Sequence, residues 1–408
     1  MMKSYRKRLV LFLAVLGPGL ITANVDNDAG GITTYSVCGA HYGYSMLWVF
    51  LPVILALIII QEMSSRMGVV TGRGLADLMR ERFGLKITFY AMLVLFAANL
   101  GNTIAEFAGI AAAGELFHIP RLILVPVAAL IVWWIVVKGT YKSVEKVFLF
   151  ACVFYAAYIV SGFLAKPDWG EVGAQFIRPT VHMDKGFLFM MIGLIGTTIA
   201  PWMQFYQQAS IAEKGIKLRQ YRYSRMDTIL GGFVVNIVAI FIVLTCGATL
   251  FRHGISIQTA QDAALALKPV AGKYCFSLFA FGLLNASLFA ASILPLSTAY
   301  TMCEALGWEN GVNKGFREAP QFYSLYTIMI ILGAAPILLP GMPLIPVMLV
   351  SQVANGLLLP FVLVIMLILI NTTEFMGEHR NGATANVITI VVAVLMAVLS
   401  LLYLITFF

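Results

Sequence analysis

Asn24-Val25-Asp26-Asn27-Asp28-Ala29-Gly30-Gly31 lies between two apolar runs, residues 9–23 and 32–40, that together read as one membrane-crossing helix behind a basic N-terminus. Two carboxylates, two asparagines and a Gly-Gly pair therefore fall near mid-span. An ionised carboxylate at the bilayer centre costs about 3 kcal/mol, so such residues are rare there and mark ion or substrate pathways. The Gly-Gly pair weakens the helix at the same place, and unwound backbone is tolerated at membrane depth only where it lines a cavity or is buried in protein. The stretch predicts a cation site on a broken helix. The competing reading is a loop between two short segments.

The rest of the chain supports a membrane setting. Of 408 residues, 60% are hydrophobic and 11% charged, a balance that excludes an ordinary soluble domain. The net charge of +8 is spread over short connections and implies no nucleic-acid partner. Cys38, Cys152, Cys246, Cys275 and Cys303 are scattered through apolar runs without a CxxC pair, so they predict buried apolar residues rather than disulfides or a zinc site. No nucleophile motif, HExxH, phosphate-binding loop or cofactor signature is present, which argues against an enzyme and against a bound cofactor. No obligate protein partner is evident.

Apolar runs of about 20 residues predict an all-α polytopic protein with eleven spans. They cover residues 9–38, 43–66, 87–116, 121–137, 146–165, 186–211, 227–250, 274–305, 322–339, 343–370 and 385–407. The first span mimics a signal peptide, yet the apolar run continues past Gly17-Pro18-Gly19, so it is read as retained. Basic residues gather in alternate connections: 3–8, 66–86, 138–146, 214–225, 314–317 and Arg380. That bias predicts a cytoplasmic N-terminus and an outer C-terminus. Compact loops and the lack of a targeting extension suit a prokaryotic inner membrane.

The sixth span carries a second break. In Thr197-Thr198-Ile199-Ala200-Pro201-Trp202-Met203, Pro201 cannot donate a backbone hydrogen bond, so the helix should part near Ala200. Interrupted helices in corresponding positions of two halves are the mark of an inverted-repeat transporter with a midplane site. The expected organisation is one transmembrane domain over residues 1–408, with repeats at 1–165 and 186–370 and an extra helix at 385–407.

At such a site, carbonyls freed at the first break (Val25 among them) and at Ile199 or Ala200 would join the Asp28 carboxylate, with Asp26 a second candidate. Carboxylate, carbonyl and water make a hard environment suited to magnesium, calcium or manganese. Trp202 either walls the cavity or packs. Asn99, Asn102 and Glu106 share one stripe of the third span, and Glu106 is a candidate for charge compensation or proton transfer. A structural Glu bonded to a neighbouring helix competes with that reading. Gln352, in Ser351-Gln352-Val353-Ala354-Asn355-Gly356, offers another amide oxygen.

Several motifs carry a family resemblance. Gly17-Pro18-Gly19, the run 39–48 ending in Met46-Leu47-Trp48, Ala105-Glu106-Phe107, Ser351-Gln352-Val353, Leu359-Pro360-Phe361, and Met376-Gly377-Glu378 with Arg380-Asn381 resemble the NRAMP family of divalent-metal transporters. The resemblance runs over nearly the whole length and implies a leucine-transporter-like fold, a five-plus-five inverted repeat with broken helices one and six. Departures fall at the metal site. The family's Asp-Pro-Gly-Asn maps onto Asp28-Ala29-Gly30-Gly31, so the Asp is kept and the Asn ligand becomes Gly31. The family's Met-Pro-His becomes Ala200-Pro201-Trp202. The acidic residue three before the family's Glu is Thr103, and the ninth span lacks the usual arginines. Lost ligands enlarge the cavity, and the lost His, acid and arginines weaken the case for proton coupling. The pattern resembles the NRAMP-related magnesium transporters. Alternatives are a proton-coupled manganese or iron importer and, less favoured, a cation-coupled organic-solute symporter. The expected partners are divalent ions and the lipid bilayer.

Overall fold

A computed structural model of the chain describes residues 18–138 and 155–406. The described residues fold into helices joined by short connections, here numbered α1 to α14, with isolated single turns left unnumbered. In order they are α1 Pro18–Val25, α2 Ala29–Tyr42, α3 Phe50–Thr71, α4 Leu75–Leu116, α5 Arg121–Lys138, α6 Ala156–Leu164 and α7 Trp169–Ile177. The second half holds α8 Lys185–Thr198, α9 Pro201–Glu213, α10 Tyr221–Thr249, α11 Cys275–Leu306, α12 Pro320–Ala334, α13 Leu344–Asn371 and α14 Ala383–Ile405. Among the described residues, nine helical segments are long and apolar enough to cross a membrane. The broken pair α1–α2 and the short α6 stand outside that number. The expected first-span run before Pro18 and the start of the expected span 146–165, with Cys152, lie outside the described residues.

Both expected breaks are present, and each has a local cause. Asp28 adopts extended angles (φ −71°, ψ −175°) and its side chain caps α2 by accepting from Gly31 N, the ordinary way an Asp starts a helix. The unwound residues are thus 26–28. The Gly-Gly pair, expected to weaken the helix there, instead forms part of the first turn of α2. At the second break Ile199 (φ −122°, ψ 63°) and Ala200 (φ −70°, ψ 137°) leave helical space. The ring of Pro201 disfavours helical angles in the residue before it, and Pro fits the first position of a new helix.

One boundary differs clearly. The third span was expected over 87–116, but α4 reaches back to Leu75 through a non-helical residue, Gly84 (φ 78°, ψ 168°). The polar run before residue 87 hid those turns, because their charges sit beyond the apolar segment. Packing then surrounds the breaks: α10 lies along α1 and α2, α11 along α4, and α13 along both α4 and α8. Gly196 and Gly356 let α8 and α13 meet backbone to backbone, since a Cβ on either would strike the other helix's main chain. Gly19 N donates to the Asp227 carboxylate at 2.8 Å, tying the start of α1 to α10. Cys38, Cys246, Cys275 and Cys303 are free and buried, as expected. Large apolar side chains on the periphery, such as Leu122 (66% exposed) and Phe361 (67%), face the lipid side.

Candidate cation site at the two helix breaks

The first break brings two carboxyl groups onto the N-terminus of α2. Asp28 Oδ1 accepts from Gly31 N at 2.6 Å, and Glu106 Oε2 on α4 accepts from Ala29 N at 3.2 Å. Both side chains are buried, and both carboxyl groups sit on the first turn of the same helix. The helix N-terminus supplies partial positive charge. It does not balance two adjacent carboxylates, so the pair calls for a cation or proton beside it. One Glu106 oxygen thus caps a neighbouring helix, while Oε1 is buried with no hydrogen-bond partner.

Asp26 is buried with both carboxylate oxygens unpartnered. Its neighbour Asn27 is held from two sides, donating to Val235 O (3.4 Å) and accepting at its carbonyl from Tyr155 OH (2.8 Å). Val25 closes α1 and is buried. Across the gap, Tyr35 OH and Thr198 Oγ1 are 3.0 Å apart, and Thr197 Oγ1 is buried without a partner. The Ala200 carbonyl accepts from Met203 N at 3.1 Å, which leaves it a second lone pair. Ile199 is buried at the same break. Trp202 packs in the core, its ring 6.3 Å from that of Tyr206 and its carbonyl accepting from Ser297 Oγ.

The glycines matter for space. A Cβ on Gly31 would run into the Asp26 carbonyl oxygen and approach Asp28 Oδ1 and Thr197 Oγ1 to 3.3 Å each. A Cβ on Gly30 would meet the Gln352 amide, so glycine there lets α13 lay Gln352 over the first turn of α2. Gln352 Oε1 in turn accepts from Asn355 Nδ2 (3.0 Å), and Asn355 and Asn102 exchange amide hydrogen bonds at 2.9 and 3.0 Å. An amide chain thus runs from α13 to α4 beside the carboxylates.

Most of the candidate residues therefore meet around the breaks: Asp26, Asp28, Gly31, Glu106 and Gln352, with Asn102 one step behind. Thr103 does not join them. It bonds back to Asn99 O (2.8 Å), and its methyl group packs where Gly333 of α12 leaves room. Sequence reasoning passed over Asn355, Tyr35, Thr197 and Thr198. Asn355 was open to discovery, lying three residues from Gln352 on one helical face. Removing it should be felt: Asn355→Leu takes from the buried Asn102 amide both of its hydrogen bonds to Asn355, an expected loss of about 1–3 kcal/mol, readable as a lower unfolding temperature in detergent. Unchanged stability would mean the amide chain contributes little.

Among the described residues no three His, Cys, Asp or Glu side chains cluster as a ready-made metal cage. An ion here would be held by carboxylate, carbonyl, amide and hydroxyl oxygens together with water.

A family model described as Nramp, natural resistance-associated macrophage protein-like, matches residues 19–406. A protein named divalent metal cation transporter MntH from Deinococcus radiodurans is 28% identical over 402 residues, covering 95% of this chain and 88% of its own length. The protein of the same name from Clostridium acetobutylicum is 24% identical, over 98% of this chain and 93% of its own. Among solved structures, the Eremococcus coleocola manganese transporter, in complex with an aromatic bis-isothiourea substituted compound, superposes with a TM-score of 0.82 at 20% identity, covering 96% of this chain and 86% of that one. MhsT in complex with L-phenylalanine gives 0.64 at 16%, covering 96% and 98%. At those identities the likeness is one of fold.

Proposed function

The chain belongs to the Nramp family of natural resistance-associated macrophage protein-like proteins, and on that premise we propose that it carries divalent metal ions across a membrane. The cargo we infer is magnesium first and manganese second, moved as a partly hydrated ion, without obligatory proton transfer, by alternating access. It acts as a transporter, not an enzyme.

The observation that carries this reading is the all-oxygen character of the breaks. Asp28 and Glu106 both accept from backbone N–H groups in the first turn of α2, position 200 is alanine, position 31 is glycine, and no His or Cys stands at either break. Magnesium demands oxygen donors and keeps several of its waters, and a site short of side-chain ligands leaves them in place. Without a thioether, the donor set does not favour softer ions. Asp28 is the principal ligand in this account, with the carbonyls of Val25, Ile199 and Ala200, and with Gln352 and Asp26 reached through water. Glu106 balances charge.

A second reading is a proton-coupled manganese importer. Two buried carboxyls on one helix start favour it, since either could carry a proton, and the likeness in fold to a manganese transporter supports the cargo. The two readings part on selectivity. Competition uptake in proteoliposomes should show magnesium displacing manganese at comparable concentrations. Ala200→Met, which places a thioether at the second break, should shift preference toward manganese or cadmium by roughly tenfold, the equivalent of one 1.4 kcal/mol contact. An unshifted ratio in that variant would take position 200 away from the ion.

The same proposal places residues 1–165 and 186–370 as the two repeats, each opening on a broken helix, with 385–407 outside them. Basic residues at the α3–α4, α9–α10 and α11–α12 connections and at Arg380 support a cytoplasmic face there. The N-terminus then lies inside and the C-terminus outside a plasma membrane.

A further inference from the structure

A large apolar groove opens on the outer side of the bundle, and none of the residues at the two helix breaks lines it. It encloses about 720 Å³ between α4, α9 and α13, within the roughly 300–1,000 Å³ span of small-ligand sites. Its rim includes Tyr90 and Phe361, which are 60% and 67% exposed, and its floor reaches Met79, Leu95 and Phe205, which are buried. Ala98 and Leu358 form part of the walls. An empty slot of this kind would leave those floor side chains without contact on one side, and an apolar lining gives water nothing to bond.

The groove has a charged mouth. Between the lining positions Met79 and Ile87 the helix breaks at Gly84, and there the chain carries Arg82 and Lys86, both exposed. The neighbouring cations are spoken for: Arg66 pairs with Glu62, Arg73 with Glu81, and Arg80 with Asp77. Neither Arg82 nor Lys86 pairs with a carboxylate among the described residues. The mouth lies at the end of the bundle where α4 begins and where α9 and α13 finish, the same basic end. Two unpaired cations above an apolar slot match an anionic headgroup above a hydrocarbon tail.

We propose that this groove is a binding site for one anionic phospholipid of the adjacent leaflet, with an acyl chain between α4, α9 and α13 and its phosphate held by Arg82 and Lys86. Basic side chains beside a membrane surface attract anionic lipid, and two of them are worth roughly tenfold or more in preference over a zwitterionic lipid. Of the three wall helices, α4 carries Glu106, α13 carries Gln352 and α9 starts directly after the break at Ala200, so the lipid would bridge elements that alternating access must move.

The full-length protein, reconstituted in nanodiscs of equimolar phosphatidylglycerol and phosphatidylcholine and released into native mass spectrometry, provides the test. The expected spectrum shows one retained phosphatidylglycerol per chain, favoured about tenfold over phosphatidylcholine. Arg82→Gln with Lys86→Gln should bring the two lipids to near parity, and Ala98→Trp should remove the retained lipid altogether. Leu358→Phe is the second groove-filling variant, and circular dichroism with a melting curve identifies whichever of the two stays folded. Equal retention of both lipids by the unaltered protein would overturn the proposal. So would a folded groove-filled variant that keeps its phosphatidylglycerol, or a bound polypeptide in place of lipid.

Discussion

Replacing Asp28 with alanine is expected to bring divalent-metal uptake down to the level of protein-free vesicles. The side chain has two jobs, and they can be separated. It caps α2 through Gly31 N, a contribution of about 1 kcal/mol, small for a bundle this extensively packed. It also supplies the charge that faces the ion. Asparagine caps a helix as well as aspartate does, so Asp28→Asn preserves the start of α2 and removes only the charge. Both variants should purify as folded protein and neither should transport. Robust uptake by Asp28→Asn would move the ion away from this carboxylate, whatever happened to the alanine variant.

Gly31→Asn comes next in expected size, and its direction runs against the family comparison. Asparagine at that position resembles the usual Nramp ligand, so restoring it looks like a gain. The geometry predicts a loss. The new Cβ would run into the Asp26 carbonyl oxygen, which is main chain and cannot swing aside as a side-chain tip would. Overpacking of that kind costs about 1–3 kcal/mol, and the strain falls on the Asp26–Asp28 segment that forms the site. Uptake should drop roughly tenfold or more, the scale of 1.4 kcal/mol per decade, with a lower unfolding temperature in detergent. A stable Gly31→Asn protein that binds manganese more tightly than the parent would show that the break yields to the new side chain.

The two breaks were legible from single features, the polar Asp26–Gly31 stretch at mid-span and Pro201 amid polar residues, although Pro126, Pro295 and Pro360 show that proline alone does not end a helix here. The membrane spans were legible from apolar length alone. What lay hidden was relational. Gly30 and Gly31 read as helix-weakening until the positions of Gln352 and the Asp26 carbonyl showed that they make room. Thr103 lies on nearly the same face of α4 as Glu106, yet its hydroxyl bonds back to Asn99 O and its methyl packs against Gly333 of α12, a neighbour the sequence of α4 does not name. The cap from Ala29 N to Glu106 joins residues 77 apart in the chain, and periodicity within one helix cannot reveal it. Nor could the apolar pattern see the turns of α4 before Gly84, where helix continues beyond the apolar run.

The central claim is that a buried, all-oxygen site passes hydrated magnesium without moving protons. It is tested most directly by one recording: magnesium influx into proteoliposomes of the purified protein, with a pH-sensitive dye and a magnesium-sensitive dye both trapped in the lumen. The account predicts a rising magnesium signal, lost in Asp28→Ala, with no protein-dependent change in lumenal pH. Acidification that follows magnesium entry and disappears with it in Asp28→Ala would contradict the account and give the Asp28–Glu106 pair a proton to carry.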